Sequence, residues 1–242
     1  PLPEEEIVVF MKTALSHKIS LPKDVFINTT ISSSGSGLRF SEDRLDYNLK
    51  AHPQTKAENN TNRYVIQTDL TKRFSDKHSN KTGIRYNQIS FAIDVAESLA
   101  EGKAPEEIAH QNGNTGFVQF YSQSKINLLP GLVMNAGINA HYLLMNNNFS
   151  IEPRIGIKYD INNTQSLGFA YGVHSRMEQL PVYFVSANGS MPNKNLDFMK
   201  SSHYVLSYQA NLGENLHLSI EPYLQQLTNV PVGPDNYHST LN

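Results

Sequence analysis

Apolar and polar residues alternate along much of this chain with a period of two. From Phe149 to Ile161 the odd positions read Phe149, Ile151, Pro153, Ile155, Ile157, Tyr159 and Ile161, and the even ones Ser150, Glu152, Arg154, Gly156, Lys158 and Asp160. Successive side chains of a strand point to opposite faces, so such a segment has one apolar and one charged face. The same alternation predicts strands at 132–144, 166–176, 203–212 and 216–225, with noisier ones at about 7–20, 24–40, 62–75, 80–95 and 115–128. Within 80–95 the apolar phase slips, from Ile84 and Tyr86 to Ile89, Phe91, Ile93 and Val95. A bulge near Asn87-Gln88 would produce such a slip.

The connections alternate too. Short turns are expected at Leu21-Pro22-Lys23, Ser75–Ser79, Leu129-Pro130-Gly131, Asn162-Asn163 and Gly213-Glu214-Asn215. Between them fall longer polar loops at about 41–61, 96–114 and 178–200, and a short one at Asn146–Asn148. Tight turns on one rim and long loops on the other are the layout of an outer-membrane barrel. Strands of this length exceed the ~9–11 residues that a tilted membrane strand needs. The expectation is therefore an all-β fold, an antiparallel transmembrane β-barrel of about ten consecutive meander strands. Tyr142, Tyr159, Tyr171, Tyr204 and Tyr208 would supply its interfacial girdles.

Composition agrees once the alternation is recognised. The chain has 242 residues, 20 Lys+Arg against 22 Asp+Glu, a net charge of -2, and only 17% charged residues. Near-balance excludes a polycationic nucleic-acid binder. The absence of cysteine excludes disulfide scaffolds, thiolate metal sites and thiol catalysis. A negative mean hydropathy looks soluble, yet it is also the average of a lipid-facing half and a water-facing half interleaved residue by residue. Two other readings stay open. A self-contained ten-stranded barrel, such as an omptin-like protease, requires the strand at 7–20 to pair with that at 216–229. A soluble β-sheet binding module would remain in solution without detergent.

The inward face carries the chemistry. Glu152, Arg154, Lys158 and Asp160 share one strand face, His174 and Arg176 the next, His203 another, and His217 and Glu221 the last. They form a polar wall that either contacts a passing solute or keeps a wet lumen solvated. No His-Glu-x-x-His stretch or helical histidine pair occurs, so no metal and no cofactor is expected. Glu4-Glu5-Glu6, Glu42-Asp43 and Glu106-Glu107 read as solvated charge, not as a catalytic dyad, and no catalytic residue is assigned. Ser32–Gly37 lacks the lysine and helix of a phosphate loop and reads as a close backbone approach or a strand end. Segment 96–110 reads as an external loop with one helical turn. In loop 178–199, Tyr183 and Phe184 read either as exposed aromatics beside Asn188, able to stack on a sugar or planar chelate, or as part of an apolar hairpin tip lying on the barrel rim.

Leu167-Gly-Phe-Ala-Tyr-Gly-Val-His-Ser-Arg176 resembles a strand of bacterial TonB-dependent receptors, especially those of the Bacteroidetes. So do Tyr121-Ser-Gln-Ser124, the stretch from Leu132 to Tyr142, and Phe149-Ser-Ile-Glu-Pro-Arg-Ile-Gly156. Asn195-Leu-Asp197, Lys200–Tyr208 and Leu216–Val232 continue the likeness in the same order. The resemblance implies the middle of a barrel of about 22 strands with a plugged lumen. It implies import of a bulky nutrient (siderophore, cobalamin or glycan) across the outer membrane, driven through TonB, and no enzymatic activity. Implied partners are outer-membrane lipid, the plug, the remaining barrel strands, TonB acting on an N-terminal box, and a surface lipoprotein. Residues 1–242 carry no plug, TonB box or terminal aromatic strand, so they are expected to be a partial barrel domain. Glu152 and Arg154 lie in a resembling block and are expected at the barrel–plug contact. The resemblance is silent about the solute.

Overall fold

The computed structural model describes residues 5–98, 103–187, 189–213 and 215–231. Asn188, Glu4, Glu214, the middle of the expected helical turn and the terminal stretch from Val232 lie outside them. The strands are β1 (Glu5–Leu21), β2 (Val25–Leu45), β3 (Ala51–Ser75), β4 (His78–Glu97) and β5 (Glu106–Leu129). They continue with β6 (Leu132–Leu143), β7 (Asn148–Asp160), β8 (Gln165–Arg176), β9 (Met199–Asn211), β10 (His217–Ile220) and β11 (Tyr223–Thr228). Each pairs antiparallel with its predecessor in chain order, except that β10 and β11 both pair with β9. They are the two halves of the expected tenth strand, interrupted at Glu221-Pro222. Proline has no N–H to give the ladder, and the chain re-enters it through the Pro222 carbonyl, which accepts from Leu206 N–H at 3.1 Å.

Among the described residues β1 pairs only with β2, and β10 and β11 pair only with β9. The sheet is open, without the closure that a self-contained ten-stranded barrel requires.

Cross-strand register sorts the side chains into two faces. Ile66, Ile84, Phe120, Ile138, Ile151, Phe169 and Leu206 all point outward and are exposed. In β7 this apolar face spans 13 residues, which at ~3.3 Å per residue and a tilt of ~40° covers roughly 30 Å, the thickness of a hydrocarbon core. Tyr142 and Phe149 sit at its loop-bearing end, Tyr159 and Tyr208 toward its turn-bearing end.

β2 to β5 are far longer, 21, 25, 20 and 24 residues. Their extra length replaces loops expected at 41–61 and 96–114. The first shrinks to Asp46–Lys50, where the Asp46 carboxylate accepts from the backbone N–H groups of Asn48 (2.8 Å) and Lys50 (3.0 Å). In the second, β5 already begins at Glu106, so its described part holds strand and no helical turn. These extensions were unreadable because their outer faces are polar: Glu58, Asn60 and Asn62 on β3, and Gln88, Ser90 and Asp94 on β4. A strand that has left the bilayer has no lipid-facing stripe. Ser32–Gly37 likewise lies within β2, paired on both sides, and is no strand end.

The bulge expected at Asn87-Gln88 is absent. Val65↔Asn87 and Tyr64↔Gln88 belong to an unbroken register. The apolar residues change face because the surroundings change. Ile84 points outward within the apolar band, whereas Ile89, Phe91 and Ile93 point inward and are buried. What buries them is the β8–β9 connection, which carries a four-residue helix α1 (Leu180–Tyr183). It folds over the inner wall, and Leu180, Tyr183, Phe184 and Phe198 form one apolar cluster with Ile89, Phe91, Ile93, Ala109 and Leu143.

Candidate functional site: the polar inner wall

The β6–β7 register sets His141 opposite Ser150 and Asn139 opposite Glu152, all facing inward. Glu152 is 1% exposed yet fully partnered. Its Oε1 accepts from the Ser175 hydroxyl (2.6 Å) and backbone N–H (2.7 Å), with His141 Nδ1 at 3.2 Å. Its Oε2 accepts from Arg154 (2.7 Å) and Asn139 (3.3 Å). Gln119 lies 3.2 Å from His141 Nε2, so an amide N–H can donate there while Nδ1–H faces the carboxylate. A buried carboxylate is tolerated on these terms, with every lone-pair direction occupied. The arrangement ties β5, β6, β7 and the end of β8 together.

A second knot lies nearer the turn-bearing rim. Asp69 on β3 accepts from the Tyr121 hydroxyl of β5 and from Gln67, with Lys81 Nζ at 3.6 Å. Gly83 on β4 lies beneath the pair: a Cβ there would stand 2.6 Å from the Tyr121 ring and 2.7 Å from Asp69 Oδ1. Only glycine lets the two groups meet across the intervening strand.

Beside Glu152 the wall is recessed. Gly137, Gly156, Ala170 and Gly172 leave a hollow of about 340 Å³, rimmed by Arg154, His174 and His203. The His174 and His203 rings meet edge to face, centroids 5.0 Å apart, and His203 Nε2 lies 2.7 Å from the Ser201 hydroxyl. A third wall feature is a cavity of about 420 Å³ under the β8–β9 connection, lined by Arg63, Arg85, Arg176 and Glu178.

Glu152 and Arg154 are therefore joined, and His174 and His203 adjoin them. Lys158 is separate, paired with Asp160 at 3.1 Å near the opposite rim. Glu221 lies exposed at the break in the open edge strand, and His217 bonds Asn211 at 2.8 Å, remote from the other histidines. No group of three metal-ligating side chains occurs among the described residues. Tyr183 and Phe184 correct the expectation of exposed aromatics, being 0% and 6% exposed. They fill the space between the connection and β4, where their rings hold more apolar surface out of water than a solvated tip could. Burial also pushes the Tyr183 phenol up from its ordinary pKa. His141, Ser175, Asp69, Tyr121, Arg63 and Arg85 were not singled out from the sequence. Inward parity was the available signal for the β4–β6 members.

An open antiparallel meander with a lipid-facing belt, tight turns on one rim and long strand extensions on the other defines a segment of a large outer-membrane-type barrel wall. No family model matches the chain, and no curated protein matches it. Solved structures do. The copper transporter OprC superposes with a TM-score of 0.68 at 11% identity, over 90% of this chain and 38% of its own. The ferric-catecholate import receptor Fiu of Escherichia coli K12, in its closed form, gives 0.67 at 12% identity, over 98% and 43%. The alcaligin outer-membrane receptor FauA of Bordetella pertussis gives 0.59 at 14% identity, over 96% and 39%. The fold is that of the barrel wall of TonB-dependent receptors, and the chain spans about two fifths of the length of these structures.

Proposed function

We propose that this chain is part of the barrel of a bacterial outer-membrane receptor that imports a bulky nutrient with energy transmitted through TonB. The observation that carries this reading is the two-faced open meander: a lipid-facing belt on one side, a satisfied polar wall on the other, and, among the described residues, unpaired edges at β1 and β10–β11. Backbone groups in hydrocarbon must all be paired, so those edges call for further strands of the same wall. The barrel lumen then holds a plug, and the recess at Gly137, Gly156 and Gly172 has room for a plug side chain. Arg154, with 42% of its side chain exposed, reaches toward that plug while anchored by Glu152, whose own oxygens are already committed. Lys158, His174 and His203 extend the same wall, and a lipoprotein on the cell surface would cover its mouth.

The test uses the natural full-length polypeptide in its own cells. It should fractionate with the outer membrane, and growth on its scarce nutrient should require TonB. Recovery in the soluble fraction refutes the reading. Arg154→Glu should weaken retention of the plug or slow uptake, and normal retention with normal uptake would remove Arg154 from that contact.

A further inference from the structure

A connection as long as the one between β8 and β9 is ordinarily a binding lid or a loose segment. This one is neither, because its two limbs, residues 177–186 and 193–198, are packed and tied like the interior of a domain. Leu180, Tyr183 and Phe184 of the first limb and Phe198 of the second are buried against Ile89, Phe91 and Ile93 of β4. Gly113 of β5 makes room for this packing: a Cβ there would stand 3.2 Å from the Phe91 ring, which stacks at 5.1 Å on Phe184. Polar ties fix the backbone as well. Ser186 donates its N–H to the Ile108 carbonyl at 2.8 Å, and the Asn146 amide donates to the carbonyls of Lys194 (3.3 Å) and Leu196 (3.2 Å). Asn148 also donates to Leu196. Both limbs are rooted at one point of the wall. Ser175, at the head of the first, bonds Glu152, while Phe198, at the foot of the second, lies edge-on to His141 with ring centroids 6.3 Å apart.

The wall beneath is built to stay covered. Inward positions of β4 read Lys81, Arg85 and Asn87 up to the edge of the connection, and Ile89, Phe91 and Ile93 under it. A lumen face that met water during part of a transport cycle has no use for three successive apolar positions, whereas one that is always covered does. A gate, moreover, needs two arrangements that a bound solute can exchange, which takes about a ten-thousandfold difference in affinity between them. Each large side chain withdrawn from water favours the docked arrangement by roughly ten- to a hundredfold, so the four from the connection reach or exceed that limit before the wall's own are counted. We propose that the two limbs form a fixed internal strap, which stays on the wall throughout transport and permanently narrows the loop-side mouth of the lumen. Solute is thereby kept from the upper inner faces of β4 to β6, and its path runs along the rest of the wall, past Arg154, His174 and His203. Whatever opens and closes the mouth lies in other parts of it. This rests on the import reading above and adds which part of the mouth does not move.

The test labels single cysteines of the full-length receptor with a water-soluble maleimide, in cells whose growth depends on that receptor. Phe91→Cys, beneath Phe184, should react at least about a hundredfold more slowly than the exposed Ser190→Cys. Its rate should be the same in energised, growing cells and in de-energised ones. A severalfold rise on energisation overturns the proposal. Where Phe91→Cys fails to form a heat-resistant barrel, Ile93→Cys takes its place. The second arm is a tether. Asn146→Cys and Lys194→Cys, joined by a short bifunctional thiol reagent, pin the second limb to the β6–β7 turn, while Asn148 still holds Leu196. With synthesis of new receptor stopped, growth should equal that after the monofunctional reagent. Growth that fails only with the tether overturns the proposal. The parent separates the two readings. Growth that needs the receptor but not TonB defeats the import reading, whereas labelling that follows energisation in a TonB-dependent receptor defeats this inference alone.

Discussion

Glu152 shows how a single buried charge is made harmless. Removing it by Glu152→Ala would leave the Ser175 N–H and hydroxyl, Asn139 and Arg154 without their acceptor, while the half-exposed Arg154 would recover water. The expected cost is about 2–4 kcal/mol, dominated by the buried donors. It should appear as a lower temperature of the heat-induced mobility shift, with Glu152→Gln falling between parent and alanine. An unchanged transition would mean that the network adds nothing to the wall. Gly83→Ala tests the second knot. Its methyl group would have to displace Tyr121 or Asp69, at a cost of about 1–3 kcal/mol. Tyr121→Phe should relieve that crowding only in part, since it removes the hydroxyl 2.6 Å from the added carbon and leaves the ring carbon at the same distance. At this scale the sequence was half legible. Parity alone placed Glu152, Arg154, His174 and His203 on the inner face. Their partners His141 and Ser175 come from the β6–β7 register and from the end of β8, beyond its pairing with β7, neither of which is encoded within any one strand.

Elements were legible wherever lipid defines a face. β6 to β9 follow the alternation to within a few residues, since half their side chains must be apolar. β2 to β5 were read too short because beyond the bilayer the outward positions turn polar, and the inward ones of β4 turn apolar to meet the β8–β9 connection. That connection reads from the sequence as exposed aromatics or as an apolar tip on the rim, because Leu180–Phe184 is short and nothing local reveals that it packs inward against Phe91 and Ile93. Tyr183→Ala should empty the centre of this cluster, a loss of about 3–5 kcal/mol confined to the connection. Limited proteolysis should then cut between Ser186 and Phe198 while β1 to β7 stay resistant. Resistance equal to the parent would show that the other cluster members suffice. The tip of the β2–β3 hairpin is sensitive to pH. Hydrogen bonds from the Lys50 N–H and from His52 hold the exposed Asp46 carboxyl below its ordinary pKa. Its contribution is therefore fully present above the ordinary carboxylate range and is lost as pH falls through the lowered value. Amide exchange at Asn48 and Lys50, corrected for intrinsic rate, should accelerate on acidification, and Asp46→Asn should largely remove that dependence.

For the whole molecule, the decisive matter is where the bilayer lies, since a soluble sheet could share the alternation but not its vertical limits. The chain contains no cysteine, so single cysteines report position without background. Along β8 and β9, Phe169→Cys and Leu206→Cys lie in the outward belt and should resist a water-soluble maleimide in intact membranes. Ser207→Cys, inward and one residue away, should react from the lumen side unless the plug covers it, and should react in either case once the barrel is unfolded. β4 gives the sharper result, because its outward face changes character along its length. Ile84→Cys should be protected and Ser90→Cys and Ala92→Cys labelled, although all three point the same way. Inward Phe91→Cys should stay unreactive for a different reason, burial under Tyr183 and Phe184, and should become reactive when combined with Tyr183→Ala. A soluble sheet would label Ile84→Cys, Phe169→Cys and Leu206→Cys as readily as Ser90→Cys, since all four side chains would meet water. Protection that ends between Ile84 and Ser90 fixes the loop-side edge of the membrane on β4, and with it the height at which Arg63, Arg85 and Arg176 stand inside the wall.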